Sequence, residues 1–347
     1  MPSNNGIIFK AVPDSYPVPG EHMEFVTREI DIENFPLADG EILVKNQYLS
    51  LDPYMRGKMR HPSAKSYSPA FEIGKVLDGR GIGIVVKSNK KDCQVGDYYA
   101  GLIGWEEYTH ILANAKSGIE SLANEITKSN APKSYFLGIL GMPGLSAYVG
   151  LNKIGKPKKG ETIFITAASG AVGQVVGQIA KIKGLRVIGS AGDDAKIKYL
   201  KEELNFDGVF NYKTCNTDEK LRELCPNGID IYFDNVGGET LETVLNHINI
   251  FGRVVACGMI SQYNTKTPYG VKNLMQIVGK RLLIQGFIVS DHYQEMGESF
   301  QKEMGEWLKQ GKLKYKEDIV EGIQNAPEAF VNILTGKNFG KMVIKIC

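Results

Sequence analysis

The chain has 347 residues, 43% of them hydrophobic and 23% charged, with a formal net charge of +2. That length exceeds the usual reach of one hydrophobic core, so two domains are expected, and so small a net charge argues against a dedicated nucleic-acid binder. No run of about 18 apolar residues predicts a membrane span, and MPSNNGIIFK lacks the basic start and apolar stretch of a signal peptide.

In chain order, GIIFKAV, MEFVTREI and EILVKNQYLSL read as short strands punctuated by YPVPG and LADGE. They predict a β-rich part from Gly6 to about Gly118. From about Ala131 strands alternate with helices. ETIFIT precedes the helical AVGQVVGQIAKIKG, LRVIGS precedes DAKIKYLKEEL, GVFNY precedes TDEKLRELC, and GIDIYFDNVG precedes ETLETVLNHI. GRVVACGM and LLIQGFIVS add two strands, which makes six, the number of a complete doubly wound Rossmann sheet. A helix is expected over about 293–310. IVEGIQNAPEAFVNILTG and the strand KMVIKIC then break the alternation, so the C-terminus is expected to return to the first domain. The predicted boundaries are 1–130 with 311–347 for one domain and 131–310 for the other. The five scattered cysteines (Cys93, Cys215, Cys225, Cys257, Cys347) fit free thiols in a cytoplasmic protein. The basic clusters KPKK and KSNKK fit solvated loops.

The turn after ETIFIT matches a dinucleotide-binding loop, G-x-G-x-x-G, with Ala168, Gly170 and Gly173 at the three glycine positions, and Val172 within it is also a candidate cofactor contact. Gly170 lets backbone approach a pyrophosphate, and Gly173 lets the helix pack on the strand. Gly177, one turn on, is expected to relieve the same helix–strand contact. Ala168 replaces only the glycine of the tight turn, where a small residue suffices if its φ stays negative. The helix N-terminus offers free N–H groups to phosphates.

The strand LRVIGS ends without the acid that meets a ribose lacking a 2′-phosphate. Asp193 and Asp194 follow, and they read first as helix caps. Lys196 and Tyr212 are then candidate donors to a 2′-phosphate, Lys196 being otherwise a solvated charge. The balance favours NADP.

Taken together, AASGAVGQVVGQIAK, FNYKT, YFDNVGGE, LGMPGLSAY, YLSLDPYMRG and LTGKNFGKMVIKI resemble the zinc-independent medium-chain dehydrogenase/reductases. The narrower likeness is to the prostaglandin reductase, alkenal double-bond reductase and curcumin reductase group, over nearly the whole chain. The resemblance implies an α/β fold with a GroES-like, partly closed β-barrel catalytic domain and a Rossmann domain. It implies NADPH as cofactor, reduction of the carbon–carbon double bond of small-molecule enones or alkenals, and a homodimer joined through the nucleotide domains.

Carried over by motif, Gly170 and Gly173 face the pyrophosphate and Lys196 and Tyr212 the 2′-phosphate. Asn235 lies beside the cofactor. Cys257, Gly258, Ile260 and Ser261 of CGMIS, with Phe287, Ile288 and Val289 of FIV, line the nicotinamide side. Met142 of GMPG and Asn338 of GKNFGK are further cofactor contacts. Without the resemblance, Met142, Cys257 and Phe287 read as strand-end or turn residues. One departure stands out: Gly279 occupies a place where related reductases tend to carry a tyrosine, which predicts a wider or differently lined substrate pocket.

No metal is expected. The five histidines (His22, His61, His110, His247, His292) lie outside any Gly-His-Glu context, and YLSLDPYMRG has no cysteine. Ser169 lies in A-S-G-A rather than a G-x-S-x-G elbow, which argues against a hydrolase. With no metal to polarise a carbonyl, a conjugated enone offers a route in which charge collects on the oxygen as an enolate and a hydroxyl stabilises it. Tyr54 is the candidate donor; its other reading is a packed aromatic. A quinone reductase of the same superfamily and a non-catalytic NADPH-binding protein remain as alternatives.

Overall fold

In the computed structural model, which describes residues 3–115 and 121–347, the N-terminal alternating segments form six strands. They are β1 (Ser3–Phe9), β2 (Met23–Glu29), β3 (Ile42–Ser50), β4 (Asp78–Ser88), β5 (Tyr98–Gly104) and β6 (Tyr108–Ile111), with helices α1 (Met55–Lys58) and α2 (Ser121–Lys128). The expected end of the β-rich part near Gly118 lies outside the described residues. β1 and β2 pair antiparallel. β3 is central and pairs antiparallel with both β4 and β6, and β4 pairs with β5. The glycines of β4 admit close neighbours: a Cβ on Gly81 would fall 2.0 Å from Ile103 Cδ1, and one on Gly83 2.4 Å from Val44 Cγ1. Side chains from adjacent strands fill those places, which lets the sheet curl.

The strand–helix alternation then builds a second sheet. Helix α3 (Met142–Val149) leads into β7 (Thr162–Ile165), α4 (Gly173–Ile182), β8 (Arg186–Ala191), α5 (Asp194–Lys198), β9 (Gly208–Asn211), α6 (Thr217–Leu224), β10 (Ile229–Asp234), α7 (Gly238–His247) and β11 (Ile248–Ala256). Helix α8 (Met275–Lys280), β12 (Leu283–Gly286) and α9 (Tyr293–Lys309) complete it. The strand order is β12-β11-β10-β7-β8-β9, with every pairing parallel. The central strands are apolar runs buried on both faces, as parallel strands covered by helices require. Phe164 stacks between Phe210 and Tyr232, with ring centroids 5.8 and 5.6 Å apart.

The chain ends with β13 (Glu317–Glu321), α10 (Ala326–Leu334) and β14 (Lys341–Lys345). β14 pairs antiparallel with β3, and Phe330 of α10 packs edge-on against buried Trp105. The molecule thus divides into two compact units, one of Met1–Gly138 with Asp318–Cys347 and one of Ile139–Glu317. The first is the curled antiparallel sheet and the second the doubly wound parallel sheet that the sequence predicts. Two local expectations need correction. Gly177 clears Phe206 rather than a strand: a Cβ there would fall 2.0 Å from the Phe206 ring. The run expected as one helix over DAKIKYLKEEL is α-helical only as α5, and residues 199–203 continue it as a wider π-helical turn.

Candidate active site

In the parallel sheet, six strands end on one edge, and nearly all the nucleotide candidates lie just past those ends. The loop from Thr166 to Val172 follows β7, and α4 opens at Gly173. The strained residue of this loop is Ala167, at φ 47°, one position before the expected tight-turn residue. Ala168 has an ordinary negative φ, is fully buried, and donates its N–H to Ser190 O at 2.9 Å. An alanine therefore serves at 168 because the left-handed step has moved to 167. A Cβ on Gly173 would sit 2.5 Å from Ala167 O and 2.7 Å from Ala168 Cα, so only glycine lets α4 begin this close to the loop backbone. A Cβ on Gly170 would meet only Ala167 O, at 3.1 Å. No side chain caps α4 at Val172. An uncapped helix start beside an open glycine is a fit for a phosphate group.

β8 and β9 end beside this loop. Asp193 is the N-cap of α5, accepting from Ala195 N at 2.8 Å, and Asp194 accepts from Asn211 Nδ2 at 2.7 Å. Both acids are therefore engaged in local structure. Lys196 is only 7% exposed, which removes its reading as a solvated charge. Tyr212 is half exposed, and its hydroxyl lies where a Cβ on Gly192 would come within 2.9 Å. Lys213 Cε lies at the same distance from that position. Sequence reasoning passed over Lys213, although it stands beside Tyr212 in FNYKT.

β7 and β10 flank the point where the strand order reverses, the usual ligand crevice of such a sheet. Asn235, just past β10, ties the two strand ends together. Its Nδ2 donates to Thr166 O at 2.7 Å and its N–H to Thr166 Oγ1 at 3.0 Å. Asp234, a residue the sequence reading did not single out, organises this turn. Its Oδ1 accepts from Tyr232 Oη at 2.7 Å, Val236 N at 2.9 Å and Gly237 N at 2.8 Å. Burial nevertheless pushes the Asp234 carboxyl above the usual range.

Past β11, Cys257 N and Gly258 N both donate to Asp234 O, Ile260 N donates to Asn235 O, and Ser261 Oγ donates to Val236 O at 2.6 Å. The CGMIS segment is thus bound along the 234–236 turn. Burial, with a smaller contribution from the Asp234 charge, pushes the Cys257 thiol up to about 12, so it is no thiolate nucleophile at neutral pH. Phe287, Ile288 and Val289 follow β12 and are half-buried. The Phe287 ring lies against Gly150 and near His292. Met142 opens α3, and its carbonyl accepts from Ser146 Oγ. Gly279 lies in α8, with open space where a Cβ would stand.

Tyr54 and Asn338 belong to the other unit. Asn338 Nδ2 donates to Gly340 O at 2.8 Å. Tyr54 precedes α1, half-buried against the core formed by Leu51, Met55, Trp105 and Phe330. Burial first, then the Asp52 carboxylate, push its phenol well above the ordinary value, so the hydroxyl keeps its proton throughout the neutral range. Asp52 itself is buried and paired: Lys341 Nζ lies 2.9 Å from its Oδ1 and donates to Leu51 O at 2.7 Å, and Ser50 Oγ donates to Oδ2 at 2.5 Å.

The histidines are engaged elsewhere. His22 accepts from Val18 N, His61 meets Ser63, His110 meets Glu41, His247 meets Asp218, and His292 lies near Phe287. Among the described residues, no group of three or more His, Cys, Asp or Glu is placed to hold a metal ion.

Two family models match the chain: one described as zinc-binding dehydrogenase over residues 171–309, the other as N-terminal domain of oxidoreductase over residues 6–119. The described residues do not fit the zinc of the first description. The chain is 43% identical to an NADPH-dependent curcumin reductase of Escherichia coli, over 89% of this chain and 88% of the relative. It is 41% identical to an NADP-dependent 2-alkenal reductase of Nicotiana tabacum, over 99% and 98%. The crystal structure of CurA from Vibrio vulnificus in complex with NADPH superposes with a TM-score of 0.89, at 40% identity and 99% coverage of both chains. With that similarity along its whole length, and with the strand order and loop described above, the chain belongs to the medium-chain dehydrogenase/reductases, in the group of the curcumin, alkenal and prostaglandin reductases.

Proposed function

We propose that this protein is an NADPH-dependent reductase of the carbon–carbon double bond of α,β-unsaturated ketones and aldehydes. The observation that carries the reading is the carboxyl edge of the parallel sheet. There the uncapped start of α4, the buried Lys196 and the Tyr212 hydroxyl follow neighbouring strands, and the relatives named above are an NADPH-dependent curcumin reductase and an NADP-dependent 2-alkenal reductase. We assign cofactor binding to the unit Ile139–Glu317 and catalysis to the unit Met1–Gly138 with Asp318–Cys347.

When bound, the reduced nicotinamide would supply a hydride to the β-carbon of a conjugated substrate, and a proton from water at the α-carbon would complete the saturated product. The protein's own contribution begins with the loop from Ala167 to Gly173: the N–H groups of Ala168 and Gly170 are spent on Ser190 O and Ala167 O, and those at the start of α4 receive the pyrophosphate. Lys196 and Tyr212, with Lys213 beside them, receive the 2′-phosphate. Asn235 and the CGMIS and FIV segments form the wall on the nicotinamide side, with Met142 and Asn338 as further contacts. Asp234 keeps that wall in place through its bonds to Val236 and Gly237. Tyr54, held protonated, donates to the substrate's carbonyl oxygen as enolate charge collects there.

Turnover of an enone with NADPH, with the product identified by mass spectrometry, tests the reading. The saturated ketone is the expected product; an allylic alcohol, or turnover of quinones alone, would overturn it. Lys196→Ala should weaken NADPH binding about tenfold or more and leave NADH binding nearly as it was, because a charge-assisted bond contributes about 1.5–3 kcal/mol. Equal affinity of the unmodified protein for the two cofactors would remove Lys196 from this role.

We also propose a cytoplasmic homodimer. Among the described residues β12 is the outer strand of its sheet, paired with β11 alone, and apolar Leu283 on it, Ile250 and Phe251 on β11 and Met275 and Val278 on α8 are exposed. All five cysteines are free, and among the described residues no helix is long and apolar enough to cross a membrane. Sedimentation at micromolar concentration reads the dimer directly, and a monomer there would refute it.

A further inference from the structure

β8 and β9 finish level with one another. Ala191 pairs with Asn211, and Tyr212 N donates to Ala191 O at 3.1 Å. Past that point one segment runs through Gly192, Asp193 and Asp194 into α5, which carries Lys196. The other turns through Tyr212 and Lys213, and a Cβ on Gly192 would fall 2.9 Å from both the Tyr212 hydroxyl and Lys213 Cε. An acid just past the second strand is what a Rossmann sheet uses to hold the ribose hydroxyls of a cofactor without a 2′-phosphate. Here two acids follow that strand, and both are engaged. Asp193 accepts from Ala195 N at 2.8 Å as the N-cap of α5. Asp194 Oδ1 accepts from Asn211 Nδ2 at 2.7 Å.

Asn211 is built into the fold around this contact. It is 8% exposed, and both ends of its amide are used. While Nδ2 holds Asp194, Oδ1 accepts from Lys213 N at 3.1 Å. Its backbone carbonyl accepts from Thr214 N at 3.2 Å and from Cys215 N at 3.1 Å. One buried amide therefore fixes the Asp194 carboxylate against the turn that carries Tyr212 and Lys213.

We infer that Asn211 is a positioning residue that determines cofactor specificity: it withholds the Asp194 carboxylate from the ribose, so that NADPH is taken in preference to NADH. The inference rests on the assignment of Lys196 and Tyr212 to the 2′-phosphate. A carboxylate released at this place acts on the two cofactors with opposite sign. It accepts hydrogen bonds from the ribose hydroxyls of NADH and repels the 2′-phosphate of NADPH.

Direct binding of NADPH and of NADH, followed by the fluorescence of the reduced nicotinamide, tests this without substrate or turnover. Asn211→Ala should lower the preference for NADPH, the ratio of the two Kd values, about tenfold or more, by weakening NADPH and tightening NADH. Asp194→Ala alone should leave the ratio nearly unchanged, because that carboxylate is already engaged. Added to Asn211→Ala, it should restore most of the ratio, a non-additivity that marks two residues acting through one contact. Asn211→Asp keeps the shape and the acceptor for Lys213 N but drives Asp194 off by like charge. It should also lower the ratio, and it serves if the alanine variant does not fold. An unchanged ratio in the Asn211 variants would overturn the inference. So would equal weakening of both cofactors, the mark of a merely structural role. A fall that persists when Asp194→Ala is added would also overturn it, because the effect would then pass through the Lys213 turn.

Lys196→Ala, measured alongside, separates this inference from the reading beneath it. If that variant keeps the full preference for NADPH, the 2′-phosphate assignment fails. The tightening of NADH in Asn211→Ala should still appear, since it involves the released Asp194 and the ribose alone. If it does not, the role of Asn211 fails as well.

Discussion

Tyr54→Phe is expected to lower enone turnover by about 10²–10³-fold, the range for a single dominant oxyanion donor, and to leave NADPH affinity nearly unchanged. The phenylalanine ring keeps the packing of Tyr54 against the apolar core of the first unit, while the hydroxyl is lost. The effect should fall on kcat rather than on KM, because the enolate oxygen gains its charge only as the reaction proceeds. The raised phenol pKa sets the sign of the pH dependence. Burial and Asp52 disfavour the phenolate, so the donor survives to higher pH than an ordinary tyrosine, and no loss of rate near neutrality should trace to its ionisation. Steady-state kinetics with a saturating enone decides the matter, and full activity in Tyr54→Phe would leave the residue a packed aromatic.

Lys341→Met should destabilise the first unit by about 3–5 kcal/mol, because it strands a buried carboxylate without its partner. The side chains of Lys341 and Asp52 are 1% and 4% exposed, so water cannot replace the lost contact cheaply. For a unit of this size that corresponds to a fall of about 6–20 °C in melting temperature. The double variant Asp52→Asn, Lys341→Met should recover most of the loss, since it removes the charge as well as its partner. Thermal unfolding of the two variants measures this. A single variant as stable as the parent would show that the pair contributes little.

The parallel sheet was legible because its strands are continuous apolar runs and its helices carry period-3.6 patterns, two signals that survive without tertiary context. The return of the C-terminus was legible for the opposite reason: after α9 the alternation stops. What sequence reasoning misplaced was finer. The negative φ that an alanine at 168 requires is present, but the left-handed step falls on Ala167, and a backbone angle leaves no mark in an alanine pair. It gave Gly177 to a strand, because the partner that occupies the space, Phe206, comes from a distant part of the chain. Lys196 stood evenly between a solvated charge and a donor to a 2′-phosphate; its burial removes the first reading, and nothing in the sequence marks that burial. Asp234 and Lys213 lay inside motifs already in view, FDNVGG and FNYKT. Their roles depend on which neighbours the fold sets against them, and Asp234 in particular is read by the N–H groups it accepts from rather than by its charge.

The pairing of β14 with β3, sealed by Lys341 reaching Leu51 across a separation of 290 residues, bears on the order of events during synthesis. The parallel sheet comes from one uninterrupted stretch, so the emerging polypeptide can complete it early. The antiparallel sheet must wait: β3 leaves the ribosome long before the segment that covers it, and the Asp52 carboxylate spends that interval without its ammonium. Hydrophobic surface on and just after β3, including Leu49 and Leu51, is exposed to chaperones for as long as translation takes to reach position 341. Proteolysis of ribosome-held chains of increasing length should therefore show protection over 139–317 first, and over 3–115 only once the final strand is free of the exit tunnel. Protection of the N-terminal stretch before that point would refute this sequence of events.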